Sequence, residues 1–145
     1  MLLEQFVVGP EQQVRRENVL ADDEILTEVE VPASPAGWQG AYLKARERTA
    51  GDFPLVSVAA GYSLIDGRMR HARLVLGGVA PMPWRCRDAE AVLEGAVPSQ
   101  ELARQVTDMV LAPARPLAHN AFKLDIARAL VPRAILAVAA PHRAG

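Results

Sequence analysis

Two apolar runs hinged on Asp66-Gly67 restrict the fold of this chain more than any other feature. The first, Pro54 to Ile65, is rich in Val, Ala, Leu and Tyr and carries no charge until Asp66. It reads as a buried strand. Asp and Gly both tolerate positive φ, which a two-residue hairpin requires at both positions. Arg68 to Val79 then returns as the antiparallel partner and ends at Gly77-Gly78. Two earlier segments alternate in the same period. Ala41, Leu43 and Ala45 oppose Tyr42, Lys44, Arg46 and Arg48, while Ile25, Thr27, Val29 and Val31 oppose Glu28 and Glu30 up to Pro32. Each predicts a half-buried strand.

The second half of the chain changes period. Asp88 to Leu93 predicts a short helix, capped by Asp88 and stopped by Gly95. Pro98-Ser99 opens another, with Leu102, Val106, Met109 and Val110 at helical spacing. Asn120 is placed as the cap of a third, in which Phe122, Ile126, Leu130 and Ala134 recur every fourth residue and Pro132 predicts a kink or split. Residues 1–23 read as irregular, with a turn at Gly9-Pro10. Strands first and helices second is the order of an α+β domain. The expected architecture is an antiparallel sheet of three to four strands packed against about three C-terminal helices.

The 145 residues suit one domain, and with half of them hydrophobic a packed core is available. A net charge of -1 argues against a domain whose main task is to coat nucleic acid or an anionic membrane. One cysteine, Cys86, rules out an internal disulfide and a cysteine-rich metal or iron–sulfur site held by this chain alone. Neither a spanning apolar run nor a secretory leader is read, so the expected compartment is the cytoplasm, with the periplasm reached only by export together with a partner. No glycine-rich dinucleotide turn, P-loop, H-E-x-x-H or G-x-S-x-G motif occurs. The histidines His71, His119 and His142 are far apart, and no self-sufficient catalytic set is visible.

Three features could carry function. Lys44, Arg46 and Arg48 at alternate positions put three cations on one strand face. That face either meets an anion, an electron-rich ring or an acidic partner, or is a solvated surface paired with Glu28 and Glu30. The loop Thr49-Ala50-Gly51-Asp52-Phe53-Pro54 is small enough for its backbone to approach something flat, or is a plain turn. Trp84 in Pro81-Met82-Pro83-Trp84-Arg85 is either an interface anchor or a cover for the end of the core. Cys86 reads as a small buried hydrophobe.

Taken in order, five segments resemble one family. They are Asp23 to Pro32, Tyr42-Leu43-Lys44-Ala45-Arg46-Glu47-Arg48, Val56-Ser57-Val58-Ala59-Ala60, Gly77 to Arg85 with Ala89-Glu90 behind it, and Asn120-Ala121-Phe122-Lys123. Their order and spacing over residues 6–135 are similar to the C-terminal domain of the FAD-binding medium subunit of molybdenum hydroxylases. This is the xanthine dehydrogenase, aldehyde oxidoreductase and carbon monoxide dehydrogenase family, and the last segment is most like the bacterial aldehyde-oxidising branch. Residues 1–22 resemble the end of the preceding FAD domain, and 23–140 the C-terminal domain itself.

The resemblance implies FAD as cofactor, with contacts at the positions of Leu26 and Lys44 and with the Arg48-to-Asp52 loop near the flavin ring. It implies as partners a molybdenum-cofactor subunit and a two-iron–two-sulfur subunit. The family's glycine-rich FAD loops have no counterpart here. The expectation is therefore a domain that helps close an FAD site supplied by another polypeptide and is not active alone. The rival expectations are a scaffold or interaction module, self-associating or not, and the relic of a split gene.

Overall fold

A computed structural model describes residues 1–9, 11–48 and 51–140. Four strands form one sheet in the order β1 (Trp38–Ala45), β2 (Val56–Ile65), β3 (Arg68–Gly77), β4 (Trp84–Arg85), every neighbouring pair antiparallel. A single-turn helix, α1 (Leu3–Phe6), precedes the sheet, and three helices follow the last strand: α2 (Arg87–Leu93), α3 (Gln100–Leu111) and α4 (Phe122–Ala139). The α+β architecture and the central hairpin are as the sequence predicts. Asp66 and Gly67 take φ of 51° and 71°, the conformation the two-residue turn demands.

Alternation along the strands decides which side chains meet the helices. Val56, Val58, Ala60 and Tyr62 of β2 and Met69, Ala72, Leu74 and Leu76 of β3 are buried on one face. β1 adds Ala41, Leu43 and Ala45 to the same face. Helix α4 lies across β1 and β2, α3 packs on α4, and α2 packs on β3 and α3. The buried residues of α4 (Ala127, Leu130, Val131, Ala134, Ile135, Val138) recur at three and four positions, which lines them along one stripe. The Tyr62 hydroxyl crosses the layer and donates to the Ile135 carbonyl at 2.7 Å.

One residue is added to β3 at its bend. The β2–β3 register slips between Gly61 and Ser63, and His71 sits at φ 56°. Such a bulge takes a carbonyl out of the ladder. The Trp38 indole supplies the missing partner, its Nε1–H donating to the His71 carbonyl at 3.1 Å. To reach it, the indole lies flat on β2: a Cβ on Gly61 would fall 2.0 Å from the ring.

Several local expectations need correction. Residues 24–35 make no ladder, and Ile25, Val29 and Val31 are 84, 71 and 82% exposed. The alternation there is real, but no strand edge in the described residues pairs with it. β1 ends at Ala45, not Arg48, because the Ala45 carbonyl accepts the Leu55 amide at 2.9 Å and the chain turns away. Lys44 therefore lies on the strand face while Arg46 and Arg48 lie beyond it, and Glu28 and Glu30 pair with none of the three.

At α2 the cap is Cys86, not Asp88, which falls inside the first turn. Asn120 does not cap α4; its side chain accepts from the Leu117 amide at 2.7 Å and so shapes the turn before the helix. Pro132 does not split α4, which runs unbroken from Phe122 to Ala139. Ser99 does cap α3, accepting from the Leu102 amide at 3.2 Å. Residues 1–23 are not wholly irregular, since Val7 bridges Asn18. Pro10 of the Gly9-Pro10 turn, and Thr49 and Ala50 of the loop after β1, lie outside the described residues.

Candidate functional site

The sheet face turned away from the helices holds Lys44, and the loop after β1 holds Arg48 and Asp52. Directly opposed residues in an antiparallel sheet share a face. Lys44 stands opposite Ser57, which stands opposite Gly77; Tyr42 stands opposite Ala59, which stands opposite Val75. The floor between Tyr42 and Lys44 is thus built of Ser, Ala and Gly. Ser57 fills part of it, its Oγ lying 2.5 Å from where a Cβ on Gly77 would sit. Met82 and Pro83 of the segment before β4 form the far wall of a groove of about 370 Å³.

The loop joining β1 to β2 closes one end of this face. The Lys44 ammonium donates to the Asp52 backbone carbonyl, and the Asp52 carboxylate accepts the Arg48 amide at 3.3 Å. Gly51, at φ 66°, takes the left-handed conformation that lets the chain fold back between them. Lys44, Arg48 and Asp52 are therefore brought together, and all three remain accessible to a neighbour. Phe53 points outward and is almost fully exposed. Leu26 is half-exposed in the unpaired segment, and no hydrogen bond among the described residues ties it to this loop. The structure assembles three of the four candidate positions and leaves the fourth on a separate segment.

A floor of small side chains is open to a flat ring and Tyr42 flanks it, while Lys44 stands beside the groove, opposite its lining residue Ser57. A groove of about 370 Å³ falls at the small end of the roughly 300–1,000 Å³ that drug-sized ligands occupy. FAD is larger than such ligands, and its pyrophosphate is usually held by free amides of a glycine-rich turn. No such turn stands beside the groove among the described residues, so most of the cofactor would be held elsewhere.

One further feature is not legible in the sequence. Glu90 is buried under β3 and accepts from the Leu74 amide at 3.0 Å and from Arg85 through Nε at 3.0 Å and Nη2 at 2.8 Å. That pairing raises the Arg85 pKa above its usual value, chiefly through the hydrogen bond to Glu90. A buried Glu on a short amphipathic helix looks like any surface Glu in sequence; only its place beside Ala89 and Leu93 hinted otherwise. Cys86 is buried as expected, and burial, aided by the Glu90 charge, pushes its thiol up to about 12. Trp84 is 45% exposed and covers an end of the core only in part. Among the described residues no group of three His, Cys, Asp or Glu side chains is placed to hold a metal, and no helix is long and apolar enough to cross a membrane.

Comparison with known proteins places these features in context. The profile of the CO dehydrogenase flavoprotein C-terminal domain matches residues 41–138. The aldehyde oxidoreductase FAD-binding subunit PaoB of Escherichia coli (strain K12) is 37% identical over 142 residues, which is 98% of this chain but 40% of that protein. The nicotine 6-hydroxylase medium subunit of Paenarthrobacter nicotinovorans is 38% identical over 90 residues, 61% of this chain and 30% of that one. In structure, the chain superposes on carbon monoxide dehydrogenase from Hydrogenophaga pseudoflava with a TM-score of 0.80 and 29% identity, covering 93% of this chain and 46% of the other. The chain thus spans less than half the length of these relatives.

Proposed function

This chain belongs to the CO dehydrogenase flavoprotein C-terminal domain family, and from that premise we propose that it forms one wall of an FAD site in a molybdenum-hydroxylase-type oxidoreductase. The observation that carries the reading is that Lys44, brought together with Arg48 and Asp52, stands opposite Ser57, which lines the small-residue groove. Bound FAD would supply the electron-transfer chemistry, accepting electrons from one centre and passing them to another. The chain's part is to hold and bias the ring. Lys44 favours negative charge beside it by Coulomb attraction, more strongly as water is excluded. Asp52 takes the Arg48 amide and so fixes the turn against which the ring would rest.

The exposed alternating segment supports the same reading. Ile25, Val29 and Val31 present apolar side chains with no ladder beneath them, as a strand does when its pairing edge is on another domain. Leu26 would reach the cofactor from that segment. On this proposal residues 1–22 are a lead-in and 23–140 the domain. The remainder of the FAD site, a molybdenum-cofactor subunit and a two-iron–two-sulfur subunit are its partners, and the compartment is the cytoplasm.

The test is purification of the tagged chain from its native host, followed by an absorption spectrum. The expected result is co-purification of larger subunits with flavin and iron–sulfur bands, and weaker flavin retention with Lys44→Met. A chain that binds FAD stoichiometrically by itself, or one that carries down no flavin or redox subunit, would overturn the proposal.

A further inference from the structure

A second cavity lies on the opposite, helical side of the sheet, at the mouth between α3 and α4. It measures about 250 Å³. Leu76, Val110, Leu124 and Ala127 make its apolar base, and Trp84 forms part of its wall. Its polar lining is Arg115, Asn120 and Lys123, with no carboxylate.

Lys123 donates to the Gly78 carbonyl at 2.7 Å, and Arg115 to the Ala114 carbonyl at 3.0 Å. Each bond uses up a carbonyl while leaving most of the cation's own donors free, since an ammonium has three and a guanidinium five. The Asn120 side-chain oxygen is taken by the Leu117 amide, which leaves its NH₂ group. Neither Arg115 nor Lys123 has a carboxylate partner among the described residues. Asp125 is only two positions from Lys123 and therefore projects from another side of α4. The rim thus offers donors and positive charge, over a base that offers only carbon.

We propose that this cavity is a binding site for a small aromatic carboxylate. An ionised carboxylate only accepts hydrogen bonds, which complements a donor-only rim, and its two oxygens suit a guanidinium. The base suits a ring, and the volume lies below that of drug-sized sites, so the ligand is of benzoate size. The cavity shares Leu76 and Ala80 with the groove beside Lys44, but its cationic rim is its own, and the proposal does not rest on the FAD reading.

Benzoate is the probe, with benzyl alcohol as its neutral analogue. Both are titrated into the isotope-labelled chain while backbone amides are followed by NMR. Benzoate is expected to shift the amides of Arg115, Lys123, Leu124 and Ala127 saturably, with a Kd of about 1 mM or tighter. Arg115→Met, at an exposed position, is expected to weaken binding about tenfold, the loss of one charge-assisted hydrogen bond. Lys123→Met gives an independent second arm with the same expectation. Absence of saturable shifts at these residues, equal binding of benzyl alcohol, or unchanged affinity in both variants would overturn the proposal.

Discussion

Replacing Glu90 by alanine should cost this domain about 3 kcal/mol, and the structure says where that comes from. Breaking a buried ion pair by removing one partner costs about 3–5 kcal/mol, because the other charge is left unpaired. Here the Arg85 side chain is 34% exposed and can regain some water, which puts the estimate at the low end. The Leu74 amide cannot: its residue is fully buried, and an orphaned buried N–H costs about 1–3 kcal/mol.

Glu90→Gln separates the two effects. The amide oxygen still accepts from the Leu74 amide, while the charge facing Arg85 and the acceptor at Oε2 are lost, because an amide NH₂ cannot accept from Nη2. The worth of a hydrogen bond to a charged group puts that variant about 1.5–2 kcal/mol below the parent. Urea unfolding followed by circular dichroism gives both numbers from midpoints at constant slope. For a chain near 150 residues the alanine variant should also melt about 6–12 °C lower. Because the pair is shielded, the deficit should persist between about 0.1 M and about 1 M salt. An alanine variant within about 1 kcal/mol of the parent, or a glutamine variant as unstable as alanine, would refute the assignment of Glu90 as the buried anchor of α2.

Other outcomes follow from single contacts. Cys86, its thiol pushed up to about 12, should react with a disulfide reagent at mildly alkaline pH only after unfolding, and prompt reaction in the native chain would contradict its burial. Burial also raises the Tyr62 phenol from 10.0 to about 12, with the Ala139 backbone pulling slightly the other way. The folded state therefore holds that proton more tightly than the unfolded state. Stability should be intact below about pH 10 and fall as pH rises towards 12, a slope that Tyr62→Phe should reduce in alkaline urea titrations. Gly61→Ala would place a Cβ against the Trp38 ring. The ring must move off the His71 carbonyl, so a changed Trp emission spectrum and a loss of about 1–3 kcal/mol are expected. Lys44→Ala should leave the fold within about 0.5 kcal/mol of the parent, as for surface substitutions generally, and a large drop in Tm would mean that its bond to Asp52 is structural.

Legibility in the sequence followed the range of the interaction. The hairpin was readable because its turn chemistry and its two apolar runs sit within one short window, and Asp66 and Gly67 need only their own φ values to act. Ser99 was readable for the same reason, since a cap bonds three residues ahead. Asp88 and Asn120 show the weakness of that reasoning. Both are good capping residues, but the chain enters α2 two positions earlier, at Cys86, and Asn120 is used in the turn before α4. Residues 25–31 carry a strand's alternation, and whether that becomes a strand depends on an edge to pair with, which no local pattern encodes.

By itself, then, the sequence determined that strands precede the main helices, the α+β class, the central hairpin and the family likeness, all of which rest on local periodicity or on short motifs. Tertiary structure alone decided that β1 stops at Ala45, that Lys44 and Arg48 meet Asp52, that Trp38 seals the bulge at His71, and that Glu90 is buried under Arg85. Those outcomes depend on which residues lie opposite one another across strands and layers. The chain sets them only when the whole sheet closes on its helices, because a buried polar group must then find a partner wherever the packing has put one.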